Sequence, residues 1–289
     1  MKMKKIGIGY EDYKEFIDND MYYVDKTLLI RDVIEKGGQA TLFTRPRRFG
    51  KTLALSMLRT FFELEYDRDG NAVDKRRYFE GKKIMEAGDE ILSKMGQYPV
   101  IKLSLKSAKQ PDFYGAFIRL REEITGEFSR HSYLSKSEKL EEKEKKLFYE
   151  LLNGQWLWEE KARNFKDRTE KQEAFKEECA KYAAALKTLS ECLQKHHNKK
   201  VVILLDEYDV PLENSYFAGF YDEMVSFIRS LFESALKTND ALELAVVTGC
   251  LRISRESIFT GLNNLEVNSI NGETFGEYFG FTQQETEDI

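Results

Sequence analysis

The sequence is short of residues that cross-link, chelate or break a chain. Its three cysteines (Cys179, Cys192 and Cys250) stand far apart, with no Cys-x-x-Cys pair. A disulfide framework and a cysteine-held metal site are both excluded, and a reducing compartment fits best. Four prolines and eighteen glycines in 289 residues exclude collagen-like and low-complexity chains. The longest purely aliphatic run is the five residues Val201 to Leu205, far too few to cross a bilayer. The lysines of residues 1–5 are followed by no apolar segment before Tyr10, so no secretory leader is read and a cytoplasmic protein without a membrane partner is expected. Charge of one sign is also missing. Lysine and arginine total 45 against 50 acidic residues, a net charge of -5, which disfavours a protein that wraps nucleic acid but leaves room for a local basic patch.

What is present is an alternation of strand-like and helix-like segments, the pattern of an α/β fold with a largely parallel sheet. Strands are expected at Ala40 to Thr44, Val100 to Leu105, Val201 to Leu205 and Leu242 to Val247, with a weaker fifth over Leu265 to Ile270. The unbroken apolar run of the third implies burial on both faces. An amphipathic helix is expected over Lys51 to Leu64. From Ser107 to Lys200 strand signals vanish. The stretch Lys136 to Lys187 carries thirteen basic and twelve acidic residues, a near balance that suits solvated helices with opposite charges three or four apart. One domain over residues 1–289 is therefore expected, with a helical insertion at about 107–200. Trp156 and Trp158 read as packing anchors of that insertion or as a partner contact. No repeat of 20–50 residues is found.

The segment Thr44 to Leu53, TRPRRFGKTL, lies between a buried-type strand and an amphipathic helix. That is where a phosphate-binding loop belongs. Gly50 allows close backbone approach, and the amides of Gly50, Lys51 and Thr52 would face an anion at the helix start. Lys51 would supply a point charge to β- and γ-phosphates, and the Thr52 hydroxyl would ligate Mg²⁺. The match to G-x-x-x-x-G-K-[ST] is incomplete, because Arg45 holds the first glycine position and Pro46 has no N–H. Nucleotide contacts are expected from Arg45, Arg47, Arg48, Phe49, Gly50, Lys51, Thr52 and Leu53.

Downstream, VVILLDEYD ends a buried strand in adjacent carboxylates, costly unless they handle a cation or a proton. Asp206 is placed to hold Mg²⁺ with Thr52, and Glu207 to polarise a water for attack on a γ-phosphate. The competing reading, a solvent-facing Asp-Glu pair at a loop start, weakens once a phosphate loop precedes it. At the end of the fourth strand, Thr248 reads either as an orienter of the attacking water or as an ordinary strand-end cap. Arg252 reads either as a γ-phosphate contact or as a surface ion pair.

With these residues assembled, the chain resembles the bacterial predicted AAA-ATPase-like family of P-loop proteins. YYVDKTLLI (Tyr22 to Ile30), TRPRRFGKTLALSML (Thr44 to Leu58), VVILLDEYDVPL (Val201 to Leu212) and TGCLRISRESIFTGLNNLEV (Thr248 to Val267) carry the resemblance. It implies a three-layer P-loop NTPase sandwich of the additional-strand, catalytic-glutamate branch, with strand order 5-1-4-3-2. The departure at Arg45 and Pro46 is itself a family trait. Many members carry a C-terminal PD-(D/E)xK nuclease-like domain. No D…(D/E)-x-K spacing follows Phe281, so nuclease activity is not expected. In related ATPases the chain before the first strand often lines the adenine pocket. Tyr23 or Asp25 would do so here, unless they shape a hairpin or cap the helix over LLIRDVIEK.

The leading expectation is an ATPase using ATP and Mg²⁺, coupling hydrolysis to conformational change in a regulatory or nucleic-acid-associated system. The alternative is a slow or non-hydrolysing ATP-dependent switch or scaffold. A small-molecule kinase is disfavoured by the adjacent Asp206-Glu207 pair, since a kinase must exclude water instead of activating it. No Asn-Lys-x-Asp guanine-reading motif occurs, which favours ATP over GTP. Arg45, Arg47 and Arg48 would contact phosphates, a DNA backbone or a neighbouring protomer of a homo-oligomer, or else form structural ion pairs.

Overall fold

The computed structural model describes residues 4–163, 165–251, 258–259, 264–270 and 274–287. Strands β1 (Ala40–Thr44), β2 (Val100–Ser104), β3 (Val201–Asp206), β4 (Leu242–Gly249) and β5 (Leu265–Asn268) form one sheet. Every pairing is parallel, and the order is β2-β3-β4-β1-β5. Read from the other edge this is 5-1-4-3-2, the order expected of a P-loop NTPase.

Helices cover both faces. They are α1 (Tyr13–Asp18), α2 (Leu28–Lys36), α3 (Lys51–Phe62), α4 (Asp89–Leu92), α5 (Phe113–Arg130), α6 (Glu142–Leu152), α7 (Gly154–Ala162), α8 (Arg168–Ala183), α9 (Ala185–His197), α10 (Val210–Ala218) and α11 (Tyr221–Phe232). Strand periodicity sorts the core between the two layers. Val201, Ile203 and Leu205 pack with α5, α9 and α11, whereas Val202 and Leu204 pack with α2 and α3. All six residues of β3 are buried, as an unbroken apolar run requires. Along α5, Phe117, Leu120, Ile124 and Phe128 recur at helical spacing and are fully buried.

Several boundaries differ from the sequence expectation: β2 ends one residue early at Ser104, β3 runs one residue longer to Asp206, β5 ends two residues early at Asn268, and two further shifts have a visible cause. Helix α3 stops two residues early because Glu63 turns extended and the Leu64 amide bonds Tyr98 O instead. Strand β4 runs two residues longer because Thr248 and Gly249 pair with Phe43 and Thr44 of β1. Between β2 and β3 the described residues form helices and short turns, with no strand. Within that run, α5 contacts β2 and α9 contacts β3, so both belong to the layer on the sheet. Helices α6 and α8 pack on other helices further out.

Candidate functional site

The site gathers at the C-terminal end of the sheet, where β1, β3 and β4 stop side by side. β1 ends at Thr44 and α3 starts at Lys51, leaving a six-residue loop. Gly50 sits at the N-cap of α3 with φ 78°, a left-handed conformation that favours glycine. A Cβ there would meet nothing within 4 Å, so the requirement is for the backbone angle and not for space. Arg48 shares the left-handed region at φ 71°, an uncommon state for a side-chain-bearing residue. No side chain caps α3, which leaves its first amides available to an anion.

Lys51 is buried, and its ammonium donates to the carbonyls of Arg45 and Pro46 at 2.9 Å each and to Cys250 Sγ at 3.3 Å. All three donors therefore hold the loop to itself and to the end of β4. Thr52 Oγ1 donates to Asp206 Oδ2 at 2.7 Å, and Thr248 Oγ1 donates to Asp206 Oδ1. The Glu207 amide adds a bond to Oδ1 at 3.0 Å. Asp206 is 2% exposed, so a carboxylate almost out of water is held by three donors from three segments. Sequence positions 52, 206 and 248 thus meet at one carboxylate.

Glu207 follows with φ 55°, again left-handed, which turns the chain sharply off the end of β3. Burial, and then the neighbouring Asp206, push its carboxyl above the ordinary carboxylate range. A residue strained in this way beside a buried carboxylate is typical of a functional turn.

Two residues that the sequence did not single out lock this turn to β4. Tyr208 is fully buried, and its hydroxyl donates to Leu251 O at 2.6 Å. Asp209 Oδ2 accepts the amides of Cys250 at 2.9 Å and Leu251 at 2.8 Å. The signal was available, since DEYD places a second aspartate three residues after Asp206. Gly249 is what permits the approach. A Cβ there would lie 2.5 Å from Tyr208 Cε1 and 2.7 Å from Asp209 Oδ1, and both groups are tethered. Gly249→Ala should therefore destabilise the fold by about 1–3 kcal/mol, the usual cost of overpacking. Urea unfolding reads this directly, and an unchanged midpoint would mean the turn gives way freely.

The arginines do not act as a group. Arg45 was expected at the phosphates, but its guanidinium is buried at the other side of β1. It donates to Thr44 O at 3.0 Å and to Asn268 O of β5 at 2.7 Å, and it lies 5.0 Å from the Phe279 ring centroid. Only its backbone carbonyl faces Lys51. The physical reason is an aromatic floor: Phe43 packs on Phe275 and Phe279, and a guanidinium stacks readily on such rings. Arg47 is exposed and reaches Glu213 at 3.5 Å, a surface pair of small energetic weight. Arg48 is exposed. Phe49 is part-buried and its carbonyl accepts from the Gly280 amide at 3.2 Å, while Leu53 packs into the core beneath the loop. Arg252 lies outside the described residues.

Tyr23 and Asp25 are structural in this arrangement. Asp25 accepts the Thr27 amide and hydroxyl with one oxygen and the Lys83 amide with the other, shaping the start of α2. The Tyr23 hydroxyl points at Met57 Sδ, 3.2 Å away.

The donor set suits a hard divalent cation, because the paired Thr52 hydroxyl and Asp206 carboxylate offer oxygen only. Among the described residues no group of three or more His, Cys, Asp or Glu side chains forms a self-sufficient metal site. No helix among the described residues is long and apolar enough to cross a membrane.

The chain is 26% identical over 295 residues to an uncharacterized protein in the vnfD 5′ region of Azotobacter chroococcum mcd 1. That alignment takes in the whole of this chain but spans only 45% of the relative's length. No solved structure matches. The family model described as Predicted AAA-ATPase matches residues 7–259, which takes in the loop, β3 with its carboxylates, and β4. A parallel sheet in this strand order, carrying Lys51, Thr52 and Asp206 together and matched over most of its length, places the chain in the family of predicted AAA-ATPases.

Proposed function

We propose that residues 1–289 act as one Mg²⁺-dependent ATPase domain, which couples hydrolysis of ATP to conformational change in a regulatory or nucleic-acid-associated system. The observation that carries this reading is the direct bond from Thr52 to Asp206, with Thr248 on the second carboxylate oxygen. It brings a phosphate-loop hydroxyl, a strand-end carboxylate and a polar sensor position to one point. Mg²⁺ held by Thr52 and Asp206 would neutralise developing charge on the phosphates. Lys51 turns from the Arg45 and Pro46 carbonyls towards the phosphates. Glu207 takes a proton from water, Thr248 orients that water, and Arg252 contacts the γ-phosphate. ATP is preferred over GTP because the chain has no guanine-reading Asn-Lys-x-Asp.

A second reading has its own support. The Lys51 ammonium already has three partners, so binding must exchange them for phosphate oxygens, as suits a switch that binds ATP and turns over slowly. Phosphate release from ATP, measured with Mg²⁺ and then with EDTA, decides between the two. Each measurement is repeated with DNA, with RNA and at rising protein concentration to expose a nucleic-acid partner or a homo-oligomer. Turnover that requires Mg²⁺ supports the ATPase. Tight ATP binding without turnover in any condition leaves the switch.

A further inference from the structure

The chain has three histidines, and all three line one cavity of about 480 Å³. The cavity opens where α3, α5 and α9 end, beside the start of β2. Asp206 and Thr52 lie at the opposite end of the sheet. The six residues of β3 alone separate the two ends by about 20 Å.

The groups at this cavity are unevenly satisfied. Arg130 is fully committed, to Glu127, to Glu63 and to the Val100 carbonyl. Arg59 is not. Its Nε donates to Glu63 at 3.0 Å, while its two terminal nitrogens have no hydrogen bond among the described residues. Lys14 and the buried Lys75 both pair with Glu65. The imidazoles form a chain through Tyr133, whose hydroxyl lies 3.1 Å from His131 Nδ1 and 2.9 Å from His197 Nε2. His131 is 4% exposed, and its Nε2 has no hydrogen-bond partner among the described residues, with Glu127 Oε1 3.6 Å away. His196 bonds Ser137 Oγ through Nδ1 at 2.8 Å, which leaves its Nε2 open.

Charge at the site is incomplete in the same direction. Burial, then His196, His131 and Lys139, push His197 down to about 4. Burial and Lys139 also lower His196. Lys139 is the cation that acts on both rings; Glu63 and Glu65 also line the cavity, but among the described residues no carboxylate bonds either ring. An arriving dianion would meet the free fork of Arg59 and would favour protonation of His196 and His197, which burial and Lys139 oppose. The volume is that of an organic ligand's pocket, about 300–1,000 Å³, and exceeds what a bare oxyanion needs. Tyr66 and Tyr133 are half exposed at its wall and would pack on such a body.

We infer that this cavity binds a phosphomonoester, with the phosphate on Arg59, His196 and His197 and the organic body against Tyr66 and Tyr133. The site is separate from the nucleotide loop and stands whether or not that loop hydrolyses ATP. Because burial and Lys139 hold His196 and His197 uncharged near neutral pH, binding takes up a proton. Affinity therefore rises as pH falls from about 8 towards about 6.5, and it stops rising once the phosphate itself protonates near about 6.

Calorimetric titration with phenyl phosphate and with inorganic phosphate, in two buffers of different ionisation enthalpy, tests this. The expected result is binding with proton uptake, tighter at the lower pH and tighter for phenyl phosphate. Arg59→Gln and His197→Gln should each weaken it about tenfold or more. His196→Gln, which loses only the Ser137 bond, covers the case in which either of those variants unfolds. Lys51→Ala should leave this binding in place. Equal affinity for the two ligands would reduce the site to an inorganic phosphate site and overturn the organic-body claim. Absence of proton uptake, insensitivity to His196→Gln, or loss in Lys51→Ala would overturn the proposal as a whole.

Discussion

A Glu207→Gln protein should bind ATP about as tightly as the native chain and hydrolyse it at least about a hundredfold more slowly, the usual scale for a general base. The substitution keeps the shape of the side chain and leaves the Asp206 cluster intact, because only the Glu207 amide, not its carboxylate, bonds Asp206. It removes the proton acceptor alone. Single-turnover hydrolysis together with equilibrium ATP binding separates the two quantities. A native rate in the variant would show that Glu207 is not the base, and the catalytic assignment would have to leave the end of β3.

Lys51→Ala should fail differently. Loss of a charged donor to phosphate oxygens corresponds to about 1.5–3 kcal/mol, or roughly ten- to a hundredfold in affinity. The measured loss is a difference, since native Lys51 must first leave the carbonyls of Arg45 and Pro46 and the sulfur of Cys250. The variant also frees those carbonyls, so its loop should be looser before any nucleotide arrives. Titration with a fluorescent ATP analogue gives the affinity, and hydrogen exchange over residues 45–50 gives the loosening. Unchanged affinity would mean that phosphates do not sit on this loop.

Much of the frame was legible because it depends on short-range pattern. VVILL reads as a strand buried on both faces, and KTLALSMLRTFF carries a helical apolar stripe behind a glycine. The charge-balanced run after β2 was legible as helix for the same reason. What escaped depends on residues far apart in the chain. Arg45 looks like a phosphate ligand beside Gly50, but its partners are Asn268 and Phe279, more than two hundred positions later. The role of Asp209 depends on amides at 250 and 251 that only the parallel β3–β4 pairing brings near. The histidine cavity draws on α3, α5 and α9, whose ends meet only because the crossovers return each helix to the same end of the sheet. No local spacing announces such a meeting.

The strand order also sets a timetable. Of the five strands of the described sheet, β1 is synthesised first, yet its two neighbours are β4 and β5, which come after the other two. About two hundred residues must be synthesised after Thr44 before β1 has any partner. At roughly 5–20 residues per second that is a wait of about 10–40 s. Even then the floor beneath Phe43 and Arg45 is completed only by Phe275 and Phe279. The helices between β2 and β3 can form meanwhile from local contacts, while the nascent GKT loop stays open to chaperones and proteases. The loop at the end of β1 should thus mature on the ribosome well after the helical layer that precedes β3.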